Sequence, residues 1–469
     1  MKFKYIEVVS IPELAWCAQI PADKKIITVI HGPGVETQDD MFYEGAWDGP
    51  LTYTGLDKAT EFSGTGGRLI DDTVEFMTPT YPYRGLLMTR LSNSVLVSNS
   101  LPFLLSRIGD KPSIKQSGYY TRLFFIFNAG FNQERTPLTM ANGSKVNLHI
   151  YCNIRFGQGK YKKTNPVEPA DFSDYRDRLV GMLQRIRENA SDPNRKQTYK
   201  PLVTLSRGYD SVACAALARE AGWRDSVNLK TEDTEDNNFG DDATLIAEKL
   251  GMTIETFDFD AWRDLPDSPE AEFVATAWAA VMVRFAGMKQ RLRHSLLVLG
   301  SSGDVTWNAE SQGINKNWLR KRKGVRASMG AESLWEFQLH TGFIPVYPAT
   351  YMAMYWRLLH KMMSEEELKS WSVGGNYDRP FARRIAEEAG IPRELFGQQK
   401  MGSSHIFPGE DPSPSGNEAY IQFRKDNGLL VMLNEENQPV QQAMKTHHFH
   451  WAIGYCMKRY EIPGMEIFT

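Results

Sequence analysis

Cysteine is scarce in this chain. There are four among 469 residues, and Cys17, Cys152, Cys214 and Cys456 form no CxxC pair. That spacing excludes a disulfide framework and the usual zinc-ligand pairs, and free thiols in a reducing cytoplasm are the expectation. No apolar run is long enough to span a bilayer, so no membrane partner is expected. The formal net charge is only −3, which provides no basic excess for nucleic acid or an anionic membrane surface. The opening MKFKYIEVVSIPELAWC lacks the continuous apolar core and small-residue cleavage site of a signal peptide. SGTGGR at 63–68 lacks the Lys-Ser/Thr partner of a Walker loop and reads as a solvent-facing turn. His447, His448 and His450 have no cysteine or carboxylate cluster beside them, which weighs against a metal role. No internal repeat is visible.

What is present is an ordinary globular composition, 42% hydrophobic and 24% charged, with enough chain for two or three domains. Residues 1–165 carry short segments rich in Val, Ile, Leu and Phe (KIITVIHG, RGLLMTRL, NSVLVSNS, RLFFIFNAG, NLHIYCNIRF). Turn signals separate them, so this part reads as a β-rich, antiparallel domain. Residues 157–174 read as a linker, and helical periodicity begins near Asp174 with Leu179, Met182, Leu183 and Ile186. In the second domain, 166–469, strands and helices alternate. The strands fall at 201–205, 227–230, 253–260 and 295–300. Helices follow at 212–221 and 241–251, and a long helical stretch is predicted from Val274 to Met288. The fold class is therefore α/β: a β-rich domain, then a doubly wound parallel sheet with a helical C-terminal part.

In such a sheet ligands bind beyond the carboxyl ends of the strands. Two polar turns fall there, Ser206-Arg207-Gly208-Tyr209-Asp210-Ser211 and Ser301-Ser302-Gly303-Asp304. In the first, a buried strand empties into a glycine-containing turn at a helix start, where unpaired backbone N–H groups favour an anion. Ser206 and Ser211 can donate hydroxyls, and Gly208 and Gly303 permit close backbone approach. Asp210 and Asp304 are the candidate Mg²⁺ ligands, because magnesium takes oxygen donors and needs only one or two carboxylates. Arg207 is open to two readings, a phosphate donor or a distortion of the loop.

The first turn resembles the Ser-Gly-Gly-x-Asp-Ser pyrophosphate loop of the N-type ATP pyrophosphatases, a group that includes the asparagine synthetases. Four later segments resemble that family in order: EDNNFGDDATLIAEKLGMTIETFDFD, LGSSGDVTW, EFQLHTGFIPVYP and RPFARRIAEEAGIPRELFGQQKMG. The chain departs from the family at Arg207, where a glycine stands, and at Val305, where a glutamate follows the aspartate. The first domain resembles the family's glutaminase domain. However, Met1-Lys2-Phe3 lacks the cysteine behind the initiator Met, so glutamine hydrolysis is not expected, as in the β-lactam synthetases and lasso-peptide cyclases. The resemblance implies ATP and Mg²⁺ as cofactors, adenylation of a small-molecule or peptide carboxylate, and transfer of its acyl group to an amine. It also implies that Lys400 contacts the phosphates. Glu336 is a candidate base, and the basic run Lys316, Arg320, Lys321, Arg322, Lys323 and Arg326 is a candidate lid. The alternative is a degenerate paralogue that binds nucleotide or a partner protein without catalysis. A homodimer is compatible with the sequence without being read from it.

Overall fold

The computed structural model describes residues 1–23, 25–116, 118–119, 122–123, 137–156, 159–161, 166–230, 241–277, 280–308, 330–375, 377–398, 412–429 and 447–465. The amino-terminal part opens with strands β1 (Lys2–Glu7), β2 (Trp16–Pro21), β3 (Ile26–His31), β4 (Glu36–Thr37), β5 (Met41–Trp47) and β6 (Phe62–Ile70). It continues with β7 (Thr73–Met77), β8 (Leu86–Arg90), β9 (Ser94–Ser98), β10 (Leu138–Thr139), β11 (Lys145–His149), β12 (Asn153–Arg155) and β13 (Gly159–Tyr161). They form two sheets, ordered β1-β3-β2-β9-β8-β11-β10 and β13-β12-β7-β6-β5-β4. Every pairing is antiparallel except β1 with β3.

Alternation along the strands explains how the first sheet is buried on both faces. Trp16, Ala18 and Ile20 of β2 and Val95 and Val97 of β9 join Phe42, Val74, Phe76 and Ile154 of the second sheet in one core. Their neighbours Cys17 and Leu96 point the other way, into a larger core shared with Leu104, Phe337, Leu339, Phe449 and Ile453. That larger core runs across the 165/166 boundary expected from the sequence. Each large side chain so enclosed contributes about 1.5–3 kcal/mol.

Three sequence expectations are corrected here. SGTGGR at 63–68 is not a solvent-facing turn but the buried middle of β6. Its glycines answer to close packing: a Cβ at Gly64 would stand 2.1 Å from the Glu44 carbonyl oxygen, and one at Gly66 would stand 2.2 Å from that of Phe42. NLHIYCNIRF is not one strand. It breaks at Tyr151, whose φ is +61°, so that β11 pairs in one sheet and β12 in the other. The 157–174 linker contains the short strand β13, and the next helix, Phe172–Ala190, starts on Asp171, whose carboxylate accepts from Asp174 N at 2.8 Å. Most of RLFFIFNAG lies outside the described residues.

The second part holds a wholly parallel sheet of β14 (Lys200–Thr204), β15 (Asp225–Lys230), β16 (Thr253–Asp258), β17 (Ser295–Val298) and β18 (Ile344–Val346). Its order is β16-β15-β14-β17-β18. The chain winds outward in one direction from β14 and in the other from β17, so the switch point of this doubly wound sheet lies between those two strands. The predicted long helix Val274–Met288 is not continuous. A short helix ends at Val274, and a 3₁₀ segment, Val283–Met288, follows after a break. Apart from Thr276 and Arg284 this stretch is apolar, and its described residues are nearly all buried, so no amphipathic stripe favours a helix and packing decides the path.

Candidate functional site

Strand β14 delivers the chain to Leu205 at the switch point, and helix Tyr209–Glu220 leaves from it. Gly208 is the N-cap, with extended backbone (φ −74°, ψ 149°) and no side-chain cap bond. The turn is tied internally. Ser206 Oγ and Ser211 Oγ lie 2.6 Å apart, Gly208 N donates to Ser206 Oγ at 3.3 Å, and Ser211 Oγ donates to the Ser206 and Gly208 carbonyls at 3.2 and 3.1 Å. A Cβ at Gly208 would meet only those two hydroxyls, at 3.5 and 4.0 Å. Neither backbone strain nor packing therefore demands glycine here; its effect is to keep the space in front of the two serines open.

The second loop follows β17 and presses against the first. A Cβ at Gly300 would stand 2.8 Å from Ser211 N, and one at Gly303 would stand 2.4 Å from the Asp210 carboxylate carbon. Gly303, a candidate ligand-binding residue, is thus the floor on which Asp210 lies. Ser302, at φ +71°, is hydrogen-bonded to Tyr83 OH, which brings the amino-terminal part to this loop.

Ser206, Gly208, Asp210, Ser211, Ser302 and Asp304 line one cavity of about 270 Å³. Val281, Met282, Phe285 and Met288 form its apolar wall. Loops separated by some ninety residues of sequence therefore bring together five of the sequence-predicted site residues, with Gly303 directly behind. Among the described residues no three His, Cys, Asp or Glu side chains gather to hold an ion by themselves.

Two lining residues were missed by sequence reasoning. Asp241 accepts from Arg207 N at 2.8 Å, and Asn228 Nδ2 on β15 ties the carbonyls of Leu205 and Asp241 together at 2.9 Å each. Burial pushes the Asp241 carboxyl up to about 6, against the opposing pull of the Arg207 N–H and charge. Its position at the start of the DDATLIAEKLG helix, beyond a parallel strand, was the available signal. Tyr377, the other missed residue, gave none. Burial raises its phenol pKa, and the charges of Asp210, Asp241 and Asp304 raise it further against the opposing charge of Arg379; the ring and the three carboxylates line the same cavity.

Arg207 is tied to a neighbouring segment. Its Nε donates to the Leu395 carbonyl at 3.2 Å, and its own carbonyl accepts from Gly397 N at 2.8 Å. The residue straps the first loop to the segment that leads toward Lys400. Lys400 and the basic run 316–326 lie outside the described residues. Glu336 is not brought to this cavity. It is fully buried elsewhere and accepts from Ser100 Oγ at 3.0 Å, from His340 Nε2 at 3.1 Å and from Tyr460 OH. Of the three clustered histidines, His448 and His450 are buried, and His450 Nε2 lies 2.9 Å from the Ser113 carbonyl.

No protein-family model matches the chain, and no curated protein sequence matches it. Among solved structures, NMN synthetase from Francisella tularensis aligns with 64% of this chain and 99% of its own, at 12% identity and a TM-score of 0.26. So slight a likeness carries no argument about this chain's chemistry.

Proposed function

We propose that this chain is an ATP-dependent, AMP-forming C–N ligase of the asparagine-synthetase-like type, acting without glutamine hydrolysis. The observation that carries the proposal is the cavity at the switch point, where an uncapped helix start, two serine hydroxyls and two loop aspartates share one opening. The residues suit a nucleotide and its metal. The space before Gly208 is one that a side chain would fill, and Asp210 and Asp304 offer the hard oxygen donors magnesium takes. Mg²⁺ held by these two carboxylates would neutralise phosphate charge, and ATP would supply the adenylyl group that activates a carboxylate with loss of pyrophosphate.

The chain's own residues then have separable tasks. Ser206, Ser211 and the amides after Gly208 bind and orient the departing pyrophosphate. Arg207 holds the 395–397 segment, and Lys400, later in the chain, has the task of countering the developing charge. The apolar wall of Val281, Met282 and Phe285 excludes water from the activated acyl group. The first 165 residues present substrate rather than hydrolyse glutamine, and Tyr83 is their contact with the second loop.

Calorimetric titration of a non-cleavable α,β-methylene ATP analogue, with and without Mg²⁺, tests the site. Magnesium-dependent binding to wild type and its loss in Asp210→Ala is the expected result. Absence of binding to wild type at millimolar analogue refutes the nucleotide site. Lys400→Met should abolish amide formation with the fold intact, and full retained activity refutes that role. Binding without AMP release across many carboxylates would point instead to a nucleotide-binding module.

A further inference from the structure

The opposite edge of the parallel sheet carries a second cavity, of about 400 Å³. Its lining includes Lys289, Arg293, Arg459, His340, Glu13 and Ile11. Arg293 lies just before β17 and Thr341, also in the wall, just before β18. The cavity therefore opens at the amino ends of β17 and β18, and the carboxyl end of β17, a strand about 13 Å long, leads into the nucleotide cavity.

The side chains that line it directly include three permanent cations and one carboxylate, Glu13. Lys289 Nζ at 3.2 Å, Arg459 Nη1 at 2.7 Å and His340 Nδ1 at 3.3 Å all converge on one oxygen of Glu272, which is buried behind the wall. Arg293 and His294 in turn share Glu13. Arg459 meets both Glu272 and His340 through Nη1, and a guanidinium carries further donors on Nη2 and Nε. Three permanent cations thus line a polar space, Lys289 and Arg459 paired with Glu272 behind the wall and Arg293 with Glu13 in it.

We propose that this cavity is a second binding site, for a small dianion such as a dicarboxylate or a phosphate ester. Its volume is that of a small-molecule site, and arginine and lysine together give the bidentate and point-charge donors such groups need. The helix Leu334–Thr341 ends in this wall, whereas Gly330 and Ala331, just before it, line the nucleotide cavity. A ligand here would therefore sit on an element that also borders the candidate active site.

Calorimetry with succinate and, separately, inorganic phosphate tests this on the full chain. The proteins are wild type, Asp210→Ala and the double variant Lys289→Gln/Arg293→Gln. Those two side chains are 36% and 57% exposed, so the double variant should fold, and Lys289→Arg serves as the charge-keeping control. At least one dianion should bind wild type, Asp210→Ala and Lys289→Arg alike and the double variant at least about tenfold more weakly. Succinate binding identifies a carboxylate ligand, and phosphate binding identifies a phosphate ester. Equal affinity for wild type and the double variant, or no heat with either dianion up to roughly 10 mM, overturns the proposal.

Discussion

The carboxylate of Asp210 rests on the α-carbon of Gly303, so that a β-carbon there would stand 2.4 Å from both its Cγ and its Oδ1. Two loops from different strands thereby fix one side chain. Gly303→Ala should turn that carboxylate away and weaken Mg²⁺-dependent binding of the ATP analogue at least about tenfold. The overpacking should cost about 1–3 kcal/mol of stability. Calorimetry beside a denaturant melt separates the two effects; undiminished affinity would show that Asp210 does not hold the metal.

Gly208→Ala probes the open space before the serines. The backbone there is one that alanine adopts readily, and the nearest obstacles are hydroxyls at 3.5 and 4.0 Å. Stability should change by less than about 1 kcal/mol, while pyrophosphate and ATP-analogue binding fall together. Unchanged affinity for both would place the anion elsewhere.

Arg207→Gly restores the residue of the resembled family. Both backbone bonds can persist, but the Nε bond to Leu395 is lost. One such bond is worth about 1 kcal/mol. Hydrogen exchange should quicken at Gly397, whose amide donates to the Arg207 carbonyl. Equal protection at Gly397 in both proteins would remove the strap from the account.

Asp241 makes stability depend on pH. Its folded-state pKa of about 6 exceeds the ordinary 3.8 because burial disfavours the charge, so the folded form keeps its proton longer than the unfolded chain does. That contribution is fully present below about pH 4 and is lost as the pH rises through about 6. Asp241→Asn retains an oxygen acceptor for Arg207 N. It should therefore exceed wild type in stability at neutral pH by about 2–3 kcal/mol, and match it near pH 4. Denaturant melts at the two pH values in metal-free buffer measure this; a pH-independent difference would contradict it.

The loop between β14 and its helix was legible because everything that defines it is local: an apolar strand, a polar glycine turn, an alanine-rich helix. Asp304 was legible by the same pattern, since parallel strands put their following loops on one edge. SGTGGR misled because glycines in a turn and glycines beneath a neighbouring backbone look alike in sequence; the carbonyls of Phe42 and Glu44 that demand them lie some twenty residues away. Val274 to Met288 misled because composition without periodicity does not fix a helix. Glu336 was placed near the chemistry by its segment alone. Its partners Ser100 and Tyr460 come from 236 positions before it and 124 after, and no local pattern announces them.

The larger core joins Cys17, Leu87 and Leu96 of the amino-terminal sheet to Phe337, Leu339, Phe449 and Ile453 near the other end of the chain. Cutting at residue 165 would strip both halves of their shared interior and leave each with a bare greasy wall. The first sheet would then aggregate through a face it was never meant to show, and the nucleotide-side half would lose the support beneath its helices. The core is complete only when Phe449 and Ile453 are in place against the amino-terminal sheet, so a substitution in either part should be felt in the other.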